Sequence, residues 1–370
     1  GLMELVALEV KGSSIFCRVR YGGMLKDRKG LNLPGANLPI DPITPKDLKD
    51  LQFGLSHKVD YVALSFVRQA SDMERLRELV SQSQSSHTRL IAKIEMLEAL
   101  EDLDGIIQAS DGVMVARGDL AIEAGQAQLP LIQKRIIERA NYYRKPVITA
   151  TQMLDSMIEN PRPTRAEITD VANAVIDGSD ALMLSAESAS GKHPFLAIQT
   201  MHEIISEVER NSDIYYDINL EQEYLEIPEA IAASACLTAM KINAKAIVCF
   251  TTTGKTVSLI SSYRPKASII ALTHLIEPLN RLELIWGTQT FRIQPYSTSE
   301  QAMSQAEELL LKTKMVVPGD RVVVTLGSPV AQGSKTNSIR VYSVSRRNVE
   351  EVSEEELPLR TRFSRDRALS

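Results

Sequence analysis

Cysteine, histidine and long apolar runs are all scarce or scattered in this chain of 370 residues. Each shortage excludes something. The three cysteines, Cys17, Cys236 and Cys249, lie far apart and form no CxxC pair, so a disulfide framework is not expected and a reducing cytoplasmic setting is. The five histidines, His57, His87, His193, His202 and His274, are equally dispersed. None has a cysteine or second histidine at ligand spacing, which argues against zinc. No apolar run approaches the ~18 residues of a membrane-spanning helix. No basic stretch followed by an apolar one opens the chain at Gly1, so no signal peptide is expected. Basic excess is missing too: 42 Lys and Arg face 47 Asp and Glu, a net charge of −5, which speaks against a nucleic-acid binder.

What is present suits two packed cores: 44% hydrophobic and 24% charged residues over a length sufficient for two domains. Leu5 to Val10 and Ser14 to Val19 are β-rich runs joined at Lys11-Gly12, a hairpin pattern. From about residue 44, short apolar runs alternate with helical patterns. The runs are Tyr61–Val67, Leu90–Glu95, Gly112–Ala116, Pro146–Thr151 and Ala181–Ser185, continuous enough for parallel strands buried on both faces. Helical spacing marks Ser71 to Ser81 and Leu131 to Tyr143. Thr164-Arg165-Ala166-Glu167 predicts a capping box opening a helix to about Ile176. Five successive βα units favour a (β/α) barrel or a doubly wound sheet. The acidic, tyrosine-rich stretch 211–228 reads as a linker. A second α/β block runs to about residue 345, with strands at Ala246–Phe250, Ser268–Thr273, Thr290–Ile293, Arg321–Leu326 and Ile339–Val344. Residues 346–370 form a charged tail.

In the first block the polar residues collect at the C-terminal ends of the predicted strands. Lys93 and Glu95 share a face, because side chains two apart in a strand point the same way. Arg117-Gly118-Asp119 follows the next strand, Thr149 and Thr151 end the one after, and Ser185 and Glu187 the last. In a barrel these ends converge on one mouth. Glu95 and Asp119 are hard oxygen ligands suited to Mg²⁺. Lys93 could neutralise a moving phosphoryl group or an enolate, the Gly118 N–H could bind an anion, and Thr151 could donate to a substrate carboxylate or relay a proton. Taken singly, Lys93 with Glu95 is an ordinary ion pair, an Arg-Gly-Asp triplet carries almost no information, and a strand-end threonine is packing. Recurrence at four strand ends favours the functional reading.

Three segments then resemble the pyruvate kinase family: Ile91 to Glu95 (IAKIE), Asp111 to Leu120 (DGVMVARGDL) and Pro146 to Ser188 (PVITATQMLDSM through LSAES). The likeness extends back through Gly22 to Gly35 and forward to about residue 345. It implies a TIM barrel represented by five of eight strands (35–210), a β lid remnant (1–34), a linker (211–228) and a C-terminal α/β regulatory domain (229–345). It implies phosphoryl transfer from phosphoenolpyruvate to ADP, giving pyruvate and ATP in glycolysis, with Mg²⁺ and K⁺. By the same resemblance Lys93 and Thr151 are catalytic; Gly118, Asp119 and Thr151 bind substrate; Glu95 and Asp119 hold the metal; and Lys29 reaches the nucleotide phosphates. A cytoplasmic homotetramer is implied. Ala121, Ala186 and Met96 depart from the family's usual residues without removing a ligand.

The segment Thr251-Thr252-Thr253-Gly254-Lys255-Thr256 lies between a predicted strand and a helix start, a hydroxyl- and glycine-rich phosphate cradle that is not a P-loop. The resemblance implies a phosphorylated effector there, facing a second loop at Gly327 to Asn337; otherwise it is a polar connector. The family's first three barrel strands, with the phosphate-binding arginine and most K⁺ ligands, have no counterpart here. An inactive, truncated pyruvate kinase is therefore the first alternative expectation. Another barrel enzyme acting on phosphoenolpyruvate or a keto acid is the second.

Overall fold

The computed structural model describes residues 3–25, 30–33, 35, 41–83, 87–211, 225–329 and 335–345. Strands β1 (Glu4–Lys11) and β2 (Ser14–Tyr21) form an antiparallel pair that turns at Gly12, whose φ of 60° suits a residue without Cβ. Lys29 and the tail 346–370 lie outside the described residues.

The first α/β unit opens with helix α1 (Pro45–Ser56), which the sequence reading missed. Its signals are local: Thr44 and Asp47 form a capping box around Pro45 at the first turn, but Gly54 and the exposed Phe53 blur its apolar stripe. There follow β3 (Tyr61–Leu64), α2 (Ala70–Ser81), β4 (Arg89–Ile94), α3 (Leu103–Ala109), β5 (Gly112–Ala116), α4 (Arg117–Ala124), α5 (Leu129–Tyr142), β6 (Val147–Ala150), α6 (Arg165–Ile176), β7 (Ala181–Met183), α7 (Ala186–Ala189) and α8 (Pro194–Asn211). β3, β4, β6 and β7 end earlier than expected, because the residues at their C-terminal ends leave the ladder, whereas β5 matches the expected run. The five strands pair in chain order, each parallel to the next. Alternation sorts their side chains. Leu90, Ala92, Ile94, Val113 and Val115 pack beneath the helices with Met73, Leu76, Ile106 and Ile136, while Ile91, Met114, Ile148 and Ala150 pack on the opposite face. Lys93 and Glu95 follow Ile91 in parity.

The predicted capping box of α6 forms: Glu167 N–H donates to Thr164 Oγ1 at 3.3 Å and Thr164 N–H to the Glu167 carboxylate at 2.7 Å. Both boundaries of the predicted linker differ from expectation. Helix α8 runs through Asn211, and α9 (Ile227–Lys241) already contains Pro228, so both ends of the predicted linker are helical; residues 212–224 lie outside the described residues.

The second unit continues with β8 (Ala246–Phe250), α10 (Lys255–Ser262), β9 (Ser268–Thr273), α11 (Ile276–Leu282), β10 (Thr288–Arg292), α12 (Ser299–Lys312), β11 (Arg321–Leu326) and β12 (Ser338–Ser343). Its sheet has the order β10-β9-β8-β11-β12, parallel except for β12. Helices α9 and α10 cover one face and α12 the other. A buried ion pair joins the units: Arg264, just past α10, meets Asp180, just before β7, at 3.1 Å and donates to Gly178 O at 2.8 Å. Burial pushes the Asp180 carboxyl up, opposed by Arg264.

Candidate functional site

The five-stranded sheet brings Lys93, Glu95, Gly118, Asp119 and Thr151 to its C-terminal edge. Lys93 Nζ donates to Ser65 Oγ at 2.7 Å and lies 2.8 Å from Glu95 Oε1. Glu95 is 2% exposed, and its Oε2 accepts from Phe66 N–H at 2.8 Å. Both carboxylate oxygens are thus engaged, one by a cation and one by a backbone donor, which keeps a buried charge tolerable. Ser65 and Phe66 directly follow β3, and the sequence reading gave neither a role in the site. Phe66 has a left-handed φ of 56° and remains exposed.

Arg117-Gly118-Asp119 is not a loop after β5. It is the first turn of α4, where strand passes to helix without a linker. Asp119 Oδ1 accepts from Asn32 Nδ2 at 3.2 Å, so the segment leading from the hairpin reaches this edge. The Gly118 N–H, expected to face a ligand, donates to Thr151 Oγ1 at 3.0 Å. A Cβ added at Gly118 would lie 3.8 Å from that hydroxyl, an ordinary contact, so packing within the chain does not demand glycine there.

Thr151 and Gln152 both hold left-handed backbones, φ 69° and 56°. For non-glycine residues each costs roughly 1–2 kcal/mol, and such strain collects at functional sites. Arg117, 5% exposed, reaches across: its Nε donates to Thr151 O at 3.1 Å and its Nη2 to the same oxygen at 2.5 Å, while Nη1 meets both carboxylate oxygens of Asp170 at 2.7 Å. Nothing in the local sequence signals this, because Asp170 lies 53 residues away.

Two predicted members of the cluster serve packing. Thr149 is fully buried with its hydroxyl on Ser179 Oγ at 2.7 Å. Glu187, 1% exposed, accepts from Leu154 N–H at 3.2 Å and Ser185 N–H at 2.7 Å, bracing the turn after Thr151. A cavity of about 760 Å³ opens beside the cluster, walled by Ser65, Phe66 and Asp119 and floored by β3, an edge strand of the sheet among the described residues. Tyr61 on that edge donates to Arg281 O at 3.0 Å, and burial pushes its phenol up to about 12. Lys93, Glu95 and Thr151 stand outside the cavity lining, so the cavity is a sheet-edge groove as much as a substrate pocket.

Among the described residues, no three or more of His, Cys, Asp and Glu gather as a metal cage. Glu95 and Asp119 are two hard carboxylates following neighbouring strands, a donor set that fits a cation completed by water and substrate oxygens.

In the second unit, Thr251 to Thr256 links β8 to α10. Gly254 N–H donates to Thr251 Oγ1 at 2.8 Å and Lys255 N–H lies 3.4 Å from Thr253 Oγ1. Gly254 has φ 88°, and a Cβ there would meet Leu282 Cδ2 at 2.8 Å, so glycine is required. The N-cap residue of α10, Gly254, has no side chain to cap the helix. Thr256 Oγ1 contacts Thr336 Oγ1 at 2.6 Å, which brings the loops after β8 and β11 together; residues 330–334 of the second loop lie outside the described residues.

Comparison with known proteins identifies relatives of both units. Residues 1–198 match the family model for the pyruvate kinase barrel domain, and residues 229–342 that for the pyruvate kinase alpha/beta domain. A pyruvate kinase of Geobacillus stearothermophilus is 43% identical over 346 residues, 93% of this chain and 59% of the relative. One of Agrobacterium vitis is 42% identical over 93% of this chain and 71% of its own. A crystal structure of a pyruvate kinase from Cryptosporidium parvum superposes with a TM-score of 0.85 at 37% identity, covering 93% of this chain and 70% of that one. The chain thus spans 59% of the length of the Geobacillus relative, and likewise 59% of one from Bacillus licheniformis.

Proposed function

This chain belongs to the pyruvate kinase family, and we propose that it transfers the phosphoryl group of phosphoenolpyruvate to ADP, giving pyruvate and ATP. The observation that carries this reading is the gathering of Lys93, Glu95, Asp119 and the Gly118–Thr151 pair at one edge of the parallel sheet. Family membership implies a divalent cation; we assign Mg²⁺, held by Glu95 and Asp119, with K⁺ as the monovalent partner. The cation supplies charge neutralisation on the phosphoryl oxygens. Lys93, held at the edge by Ser65 and Glu95, points its ammonium at charge that builds as the phosphoryl group leaves and an enolate remains. Thr151 offers its hydroxyl, and Gly118 its N–H, to the substrate carboxylate, which on binding takes over the bond these two make to each other. Thr151 is also assigned the proton relay to the enolate carbon. Lys29 is assigned to the nucleotide phosphates.

The same reading divides the chain into a lid segment (1–34), the barrel portion (35–210), a connecting stretch (211–228), the regulatory α/β domain (229–345) and a charged tail (346–370). It makes the assembly a cytoplasmic homotetramer. Among the described residues no helix is long and apolar enough to cross a membrane. Thr251 to Thr256 are assigned to a phosphorylated effector, supported by the start of α10, whose N-cap residue Gly254 offers no side-chain cap, and by the Thr256–Thr336 contact.

The test is NADH consumption in a lactate-dehydrogenase-coupled assay with phosphoenolpyruvate, ADP, Mg²⁺ and K⁺, where a turnover of about 1–100 s⁻¹ is expected. A second reading rests on β3 and β7, which are unpaired edges of the described sheet. In it the 370 residues alone are inactive, and turnover appears only in a longer polypeptide whose further strands close the barrel.

A further inference from the structure

Thr151 and Gln152 lie side by side at the site with left-handed backbones, and Thr151 is β-branched, the residue class least suited to that region. Such a conformation persists only where surrounding contacts impose it. The bonds to the backbone carbonyls here come from one side chain. Arg117 sends Nε and Nη2 to Thr151 O, at 3.1 and 2.5 Å, and Nε also lies 3.3 Å from Ala150 O. Nη2 further touches Met153 Sδ at 2.8 Å. Asp170, on α6, fixes the guanidinium through two bonds of 2.7 Å to Nη1. Gly118, the residue after Arg117, holds the other end of Thr151 by its hydroxyl.

We propose that Arg117, oriented by Asp170, is a positioning residue that clamps the strained backbone of Thr151 and so aims its hydroxyl at the substrate. The proposal rests on the reading of Thr151 as a substrate contact. A buried arginine whose only task is an ion pair would spend its fork on the carboxylate; here two of its three nitrogens go to the carbonyl of the strained residue. The planar fork matters, since a lysine ammonium cannot hold Asp170 and the Thr151 carbonyl in one geometry. Helix α6 thereby becomes part of the site without touching substrate.

The decisive readout does not need turnover. Exchange of the Gly118 amide reports the Thr151 hydroxyl, and Asp170 is remote from Gly118 in sequence. In Asp170→Asn and Arg117→Lys the Gly118 amide should exchange about tenfold faster or more, with Val113 and Val115 of β5 unchanged. The KM for phosphoenolpyruvate should rise about tenfold, with kcat less affected. Adding Gln152→Gly to Arg117→Lys removes part of the strain and should restore part of the Gly118 protection. Unchanged Gly118 exchange in Asp170→Asn overturns the clamp, as does the absence of any rescue by Gln152→Gly. Faster exchange with an unchanged KM upholds the clamp and instead removes Thr151 from substrate binding.

Discussion

In the first sheet, chain order and spatial order coincide, β3-β4-β5-β6-β7; in the second, the order reverses at β8, which has β9 on one side and β11 on the other. The difference decides where each can bind something. An unreversed parallel sheet lays successive strand ends side by side, so its polar residues form one continuous row, and that row carries buried charge: Glu95, Arg117 and Glu187. A reversed sheet opens a crevice at the switch point, outside the carboxyl end of the strand where the order turns. That strand is β8, and the loop leaving it is Thr251 to Thr256. Its buried polar groups are hydroxyls, Thr251, Thr256 and Thr336, with no carboxylate among them. The first arrangement suits charge that moves, the second an anion that stays.

The sharpest break of this comparison comes at Lys93. Lys93→Met should lower kcat by roughly 10³-fold, about 4 kcal/mol of barrier, with KM little changed, because the ammonium acts mainly where transition-state charge builds. Steady-state kinetics within tenfold of the parent would move the chemistry away from the charged row. Next in size is the joint between the sheets. Arg264→Ala leaves Asp180 buried without its cation and should cost about 3 kcal/mol. Urea unfolding followed by calorimetry should then show two transitions in place of one. A single transition at the parental midpoint would mean that the pair does not bind the units to each other.

Glu95→Gln and Asp119→Asn should each raise the Mg²⁺ concentration for half-maximal activity about tenfold or more, since each removes a charge-assisted contact to a hard cation. Superimposable Mg²⁺ titrations would remove the metal from this row. The smallest effect belongs to the crevice. Lys255→Glu should abolish activation by a sugar phosphate while leaving basal turnover intact, a change on the order of 1 kcal/mol at the start of α10. Lys255 is exposed and loosely paired with Glu226 at 3.9 Å, so its loss disturbs no core. Activation that survives the charge reversal would place the effector elsewhere and erase the functional contrast between the sheets.

Much of this was legible in the sequence. The strand runs of the second unit, Ala246–Phe250, Ser268–Thr273 and Arg321–Leu326, appear as expected to the residue, because strands buried on both faces read as uninterrupted apolar runs. The Lys93–Glu95 pairing followed from two-residue periodicity. The Thr164 cap followed from a four-residue pattern. Helices α1, α3, α4, α7, α8 and α11 escaped; Gly54 and Phe53 broke the stripe of α1, and Arg117-Gly118-Asp119 gives α4 no start signal beyond an acid in the first turn.

Local pattern therefore determined the strand runs, several of the helices and the Thr164 cap, and which side chains share a face, since those depend on neighbours two to four positions away. Tertiary structure alone decided what the polar residues do with one another. It spends the Thr149 hydroxyl on Ser179, puts Ser65 against Lys93 and Asn32 against Asp119, and brings Asp170 to Arg117 and Thr336 to Thr256. Those partners stand 28 to 87 residues apart in the chain. A hydrogen bond needs atoms within about 3 Å, and only the packing of the sheets and helices sets which distant segments come that close.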